Sequence, residues 1–185
     1  MLAESKVGPQ TLSDGGPVPL RSDRTGALVV ADGHARYAEA VARGRVFAAS
    51  MQAGASLGTA LTATAVTLTL YNPVGSGVNL FVLWSSLALT TAPAGSAAYV
   101  YAANVNPAAA APATTTAATV RPALLGSTVA GSGIAYTAAT LPAVPVAVRS
   151  AAAVLATGST GAMLAVDQVD GALAIAPGCA VTIQG

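Results

Sequence analysis

Leu68-Thr69-Leu70-Tyr71-Asn72-Pro73-Val74-Gly75-Ser76-Gly77-Val78-Asn79-Leu80-Phe81-Val82-Leu83-Trp84-Ser85-Ser86-Leu87-Ala88-Leu89 decides how the chain is read, because it joins the largest apolar side chains to one clear turn. Before the turn, Val66, Leu68 and Leu70 alternate with Thr67, Thr69 and Tyr71, the period-two pattern of a strand with one buried face. Asn72-Pro73 stops that ladder: Pro73 fixes its own φ and lacks an N–H, while Gly75 and Gly77 permit the positive φ of a reversing loop. The run Leu80-Phe81-Val82-Leu83-Trp84 is then apolar on both faces, as in a strand covered on both sides. The expectation is a hairpin of two strands around this turn, forming the core.

A length of 185 residues suits one domain with an arm. The composition is 54% hydrophobic but only 4% aromatic and 8% charged, and alanine is the largest contributor to the apolar count. A buried methyl removes little apolar area, at roughly 25 cal/mol per Å², whereas ordering each residue costs about 1–2 kcal/mol of backbone entropy. A core this thin implies that part of the Ala, Val and Thr surface is buried against other subunits. The formal net charge of +1 gives no electrostatic footprint for nucleic acid or anionic lipid. Cys179 has no cysteine partner and His34 is the sole imidazole, so neither a disulfide nor a zinc site is expected. Met1-Leu2-Ala3-Glu4-Ser5-Lys6 leads into Pro and Gly, not into the apolar run of a signal peptide. The best uncharged stretch, Val78 to Ala92, falls short of the ~20 residues a membrane helix needs and ends at Pro93.

Along the chain, residues 1–33 read as an extended arm, broken by Gly8-Pro9, Asp14-Gly15-Gly16-Pro17 and Pro19, with Ala27-Leu28-Val29-Val30 as a brief strand. An arm this polar does not fold alone, so it lies on a partner or stays mobile. Leu20, Arg21, Arg24, Leu28 and Val30 are its candidate partner contacts. Residues 34–45 read as a short helix of strong helix formers that Gly44 ends. From 46 to 185 the expectation is a single β-sandwich of jelly-roll type, making the whole chain mainly β. Between Val46 and Val166 only Arg121 and Arg149 are charged, with Thr, Ser, Gly and Pro providing the polarity. Strands are expected at Val46–Ser50, Ala63–Tyr71, Asn79–Leu89, Ala97–Ala102, Ala118–Leu125, Gly133–Thr137, Val144–Arg149, Met163–Val166, Ala172–Ile175 and Ala180–Gln184. Ala108 to Thr116 reads as an extended loop because Pro107, Pro112 and three threonines oppose a helix, while Ala151 to Leu155 is compatible with a helical turn.

No constellation of catalytic residues emerges. His34 follows Asp32, but no nucleophile motif accompanies them, and a helix-cap or surface role accounts for both. Asp167 and Asp170 are spaced for a cation loop that lacks further oxygen ligands, and Asp170-Gly171 alternatively forms a hairpin turn. Gly75-Ser76-Gly77 lacks the lysine and helix of a phosphate loop. Tyr99 and Tyr101 share one strand face and read as core or interface aromatics, with a saccharide platform beside Trp84 as the alternative.

Four segments carry a resemblance: Gly26 to Val29 with Asp32-Gly33-His34-Ala35-Arg36-Tyr37-Ala38-Glu39-Ala40-Val41; Tyr71 to Leu80; Tyr101-Ala102-Ala103-Asn104-Val105-Asn106-Pro107; and Ala176 to Gln184. In these the chain resembles a family of small virion structural proteins of tailed bacteriophages. The resemblance implies a particle component without fixing which one, and the lack of a catalytic constellation in the sequence makes a non-enzyme without a cofactor the expectation. It also implies a further strand after the last segment. Since the sequence stops at Gly185, that strand is expected either from a neighbouring subunit or not at all. With the polar arm and the nearly uncharged body, the leading expectation is a capsid decoration or cement protein on the outer shell of the virion. Its partners would be the major capsid protein and further copies of itself, as a trimer in preference to a dimer, without nucleic acid or membrane. The alternative is a tail or head-fibre component presenting a receptor-binding tip.

Overall fold

The computed structural model of the protein describes residues 35–51, 53–55, 57, 60–65, 67–89, 97–105, 111–154 and 163–185. The arm over residues 1–33, with Leu20, Arg21, Arg24, Leu28 and Val30, lies outside them, as does His34. The chain divides into two compact units, Met1–Ala40 and Val41–Gly185. A single short helix, α1 (Ala38–Ala42), is less than half the length expected, and Gly44 closes it at φ 65° with its N–H on the Val41 carbonyl.

The described chain is otherwise mainly β, and every strand pairing is antiparallel. β1 (Phe47–Ala49) pairs β7 (Val120–Pro122). A seven-stranded sheet contains β2 (Thr64–Ala65), β3 (Thr69–Tyr71), β5 (Ala97–Asn104), β6 (Ala113–Ala118), β8 (Ile134–Thr140), β9 (Val146–Val154) and β11 (Ala180–Gln184). In it β8 carries β6 on one side and β2 then β3 on the other, after which come β11, β5 and β9. β4 (Leu80–Leu89) and β10 (Met163–Ile175) form a separate two-stranded ribbon.

Several expected boundaries move. Ala63 to Tyr71 is two short strands, because at Thr67 the chain turns its hydroxyl inward to Thr182 and the Ile183 carbonyl. The end of the Ala/Thr tract is strand β6, and Ala151–Val154 extends β9 instead of making a helical turn. Asp170-Gly171 makes no hairpin. Both residues take positive φ, 54° and 83°, inside one continuous strand whose register against β4 shifts between Gln168 and Leu173. The result is a bulge.

The largest correction concerns the opening stretch. β3 and β4 do not pair with each other: β3 lies against β8 and β11, whereas β4 pairs only β10. Residues 72–79 therefore carry the chain from the sheet to the ribbon, and the turn after Ile175 does the same in reverse. The two crossings run side by side. The Asn72 N–H donates to the Cys179 carbonyl at 3.0 Å, and the Gly178 N–H donates to the Asn72 carbonyl at 2.7 Å. The Asn72 side chain is fully buried and its Nδ2 donates to the carbonyls of Ile175 (2.8 Å) and Val78 (2.7 Å).

The ribbon covers one face of the sheet. Val82, Val169 and Ile175 from the ribbon meet Tyr101 and Val181 from the sheet, with Leu70, Leu80, Leu173 and Ile183 packed around them. The opposite face of the central strands is also buried: Thr69, Thr182 and Gln184 are 0%, 2% and 5% exposed, beside a smaller apolar cluster of Tyr71, Leu141 and Ala180 with Tyr136 against it. The segment before β3 seals it. The Thr62 N–H donates to Gln184 Oε1 and Gln184 Nε2 donates back to the Thr62 carbonyl, while the Thr67 and Thr182 hydroxyls bond at 2.9 Å. Buried polar groups cost little when each finds a partner in this way.

Asn72→Ala strands two buried carbonyls and is expected to cost about 1–3 kcal/mol in urea unfolding. Asn72→Asp, though isosteric, sets a carboxylate oxygen against those carbonyls and should cost more. An aspartate variant as stable as the alanine variant would refute this account of the corner.

Candidate functional site

The ribbon has two unlike faces, set by the alternation of its strands. Inward, Ser85 of β4 and Asp167 of β10 are directly opposed in the register and reach toward the sheet. Arg149 of β9 meets Asp167 in a fork, Nε to Oδ2 and Nη2 to Oδ1, both 3.0 Å. The Tyr101 hydroxyl lies 2.5 Å from Ser85 Oγ, beside the Asp167 carboxylate. Four strands, two from each layer, thus converge on one polar cluster.

The hydrogen bonds from Arg149 hold the Asp167 carboxyl below the usual carboxylate range despite its partial burial, and the Arg149 guanidinium is raised by the same partner. Burial pushes the Tyr101 phenol up, so it stays protonated at neutral pH. An ionised, fork-bonded carboxylate beside a protonated phenol holds its protons where they are. The cluster therefore fastens ribbon to sheet and offers no group poised for proton transfer near neutral pH.

Asp170 sits in the bulge and is exposed, whereas Asp167 turns inward, so the two carboxylates do not share a cleft. Among the described residues no group of three or more His, Cys, Asp or Glu is placed to hold a metal ion. No helix among them is long and apolar enough to cross a membrane. Cys179 is half-buried beside the ribbon–sheet core.

Tyr99 and Tyr101 are 4% and 2% exposed. Both rings are buried within the chain, and neither reaches a partner or a saccharide as interface aromatics would. Tyr101 is spent on the inner cluster because the ribbon lies over β5.

The exposed aromatics are Phe81 and Trp84, each 59% accessible, on the outer face of the ribbon. Leu164 and Val166 stand outward on the neighbouring strand at 66% and 57%. In the register Leu164 is opposite Ala88, Val166 opposite Ser86, Gln168 opposite Trp84 and Ala174 opposite Phe81. Single exposed apolar residues are ordinary, but a contiguous apolar stretch of this kind marks a contact surface. The continuous apolar run in β4 announced a strand covered on both sides; among the described residues only one side is covered. Leu164 and Val166 alternate with Ala165 and Asp167, a signal that could have flagged their outward position.

With this geometry in hand, comparison with protein-family models, with curated proteins and with solved structures finds no match to the chain.

Two outcomes test the inner cluster. Because the folded pKa of Asp167 lies below its unfolded value of about 3.9, the pairing stabilises the fold above that pH and is lost as pH falls through the folded value. The melting difference between the parent and Asp167→Asn should be present at neutral pH and close as the pH falls below the unfolded value and through the folded one. Tyr101→Phe removes the hydroxyl from Ser85 and Asp167, and thermal unfolding should show a loss of about 1–2 kcal/mol.

Proposed function

We propose that the protein is a non-enzymatic structural component of a tailed-bacteriophage virion, and specifically a capsid decoration or cement protein on the outer shell. In this reading the ribbon and the sheet are the two layers of a sandwich-type body, and residues 1–33 supply further contacts to the shell. The observation that carries the reading is the apolar outer face of the β4–β10 ribbon, on a body whose strands are almost uncharged. A surface of this kind is costly in water and gains free energy only when another protein covers it. The partners are the major capsid protein and further copies of the same chain.

Support comes also from the tying of the two layers. A cement protein bears load across capsomer joints, and a body whose layers are joined by a forked ion pair and by a doubly bonded corner resists shear between them. The segments that resemble small phage virion proteins include that corner, Tyr71 to Leu80 and Ala176 to Gln184, so the resemblance falls on residues with a structural task. A receptor-binding tip is the alternative; of the aromatics it would use, Tyr99 and Tyr101 are buried and Trp84 is exposed to stack on a sugar.

Cosedimentation with assembled shells of the co-expressed major capsid protein tests the reading. The full chain should saturate the shells and raise the temperature at which they open, and a chain lacking residues 1–33 should bind with clearly lower occupancy. Unchanged occupancy on truncation removes the arm from the contact; no binding by the full chain removes the shell reading altogether.

A further inference from the structure

The outer face of the ribbon has a shape as well as a polarity. On β4 its large side chains, Phe81 and Trp84, lie toward one end, with Ser86 and Ala88 at the other. On β10 the order is reversed: Leu164 and Val166 stand beside those small β4 residues, and Gln168 and Ala174 stand beside the large ones. The large side chains therefore form a diagonal ridge across the two strands, flanked by two shallow troughs. At its Phe81 end the ridge bends over the bulge, where a Cβ on Gly171 would lie 3.9 Å from the Phe81 ring.

We infer that this face docks onto the same face of a second copy of the chain, ridge into trough, about a two-fold axis lying in the plane of the face. The register makes the surface its own complement. With the axis across the strands, Phe81 and Trp84 of one copy lie over Ala88 and Ser86 of the other, and Leu164 and Val166 lie over Ala174 and Gln168. With the axis along the strands, Phe81 lies over Ala174 and Leu164 over Ala88. Either way large meets small, which facing sheets need in order to interdigitate at about 10 Å separation. An isologous contact of this kind requires a surface that fits itself, and a diagonal ridge on a two-stranded ribbon does.

Area and charge agree with that occupant. At 59%, 59%, 66% and 57% exposure, Phe81, Trp84, Leu164 and Val166 offer roughly 500 Å² of accessible surface, and stable complexes bury about 800 Å² per partner. The exposed Ser86, Ala88, Gln168 and Ala174 around them add to it. Two copies bring identical charges together, so a charged face would repel itself. On β4 and β10 the only charged residue at an outward position is Asp170, off the ridge in the bulge, and either axis sets it opposite other residues than its own copy. The inference rests on the structural-protein reading and deepens it: the unit this face builds is a dimer, where the sequence alone favoured a trimer.

The test uses the full chain. Sedimentation equilibrium in the micromolar range should give twice the chain mass, and Trp84→Asp or Leu164→Asp should weaken self-association at least about 30-fold while circular dichroism and the melting curve stay those of the parent. In a Cys179→Ala background, Phe81→Cys chains mixed with Ala88→Cys or Ala174→Cys chains should cross-link on mild oxidation more readily than Phe81→Cys chains cross-link to themselves. A monomeric parent, an oligomer indifferent to both aspartate variants, or ridge-to-ridge cross-linking of Phe81→Cys alone overturns the proposal. Shell binding is read separately by cosedimentation. A monomer that still coats shells defeats the self-docking and leaves the shell reading intact, and a dimer that ignores shells does the reverse.

Discussion

The amide of Asn72 is the interaction on which the two layers depend. At that point β3 leaves the sheet for the ribbon, and beside it the chain returns from β10 to β11. A strand that changes layers breaks its ladder and leaves backbone groups without partners in a dry interior. Here the two crossings satisfy each other through Asn72 and its neighbours at Ile175, Gly178 and Cys179. The side chain supplies two donors where a glycine or alanine would supply none. That fixes the ribbon's register over the sheet, and so decides which residues of β4 and β10 face inward.

From that registration the two faces of the ribbon follow. Inward go Val82, Val169 and Ile175, with Ser85 and Asp167 at the positions that Tyr101 and Arg149 can reach. A slip of one residue would send those polar groups into solvent and Trp84 into the core. The forked ion pair therefore does more for the uniqueness of the arrangement than for its depth in free energy, since a partly exposed pair is screened and weak. The edge strand β9 is kept from pairing indiscriminately by the two irregularities in its register with β5, and its Arg149 is engaged inward.

The alanine-rich composition is met in two ways. One apolar cluster, built from a few large side chains, sits between ribbon and sheet. On the other face of the sheet, threonine and glutamine lie beside a smaller apolar cluster of Tyr71, Leu141 and Ala180, and the segment around Thr62 and Thr67 closes over the polar side chains with hydrogen bonds. Part of the polarity that a sequence reading places on contact surfaces is thus consumed inside the chain. What is left for contact includes the outer face of the ribbon, which carries the exposed aromatics Phe81 and Trp84, and the exposed valines of the β9 edge, Val146 and Val148.

The sequence by itself determined the mainly β character, the positions of most strands and the breakpoint at Asn72-Pro73, because side-chain alternation and turn chemistry are local. It also marked Gly44 as the end of the helix and the single run, Leu80 to Trp84, with too much hydrocarbon for a strand covered on one side. Pairing partners were beyond its reach. Neighbours along the chain looked like a hairpin, yet β3 found β11 and β4 found β10, more than a hundred and some eighty residues away, respectively. Nothing local distinguishes a turn within a sheet from a crossing between layers. Only the tertiary structure decided that Tyr99 and Tyr101 lie inside while Phe81 and Trp84 lie outside, because burial depends on which surface another strand happens to cover, and that is settled by contacts far apart in sequence.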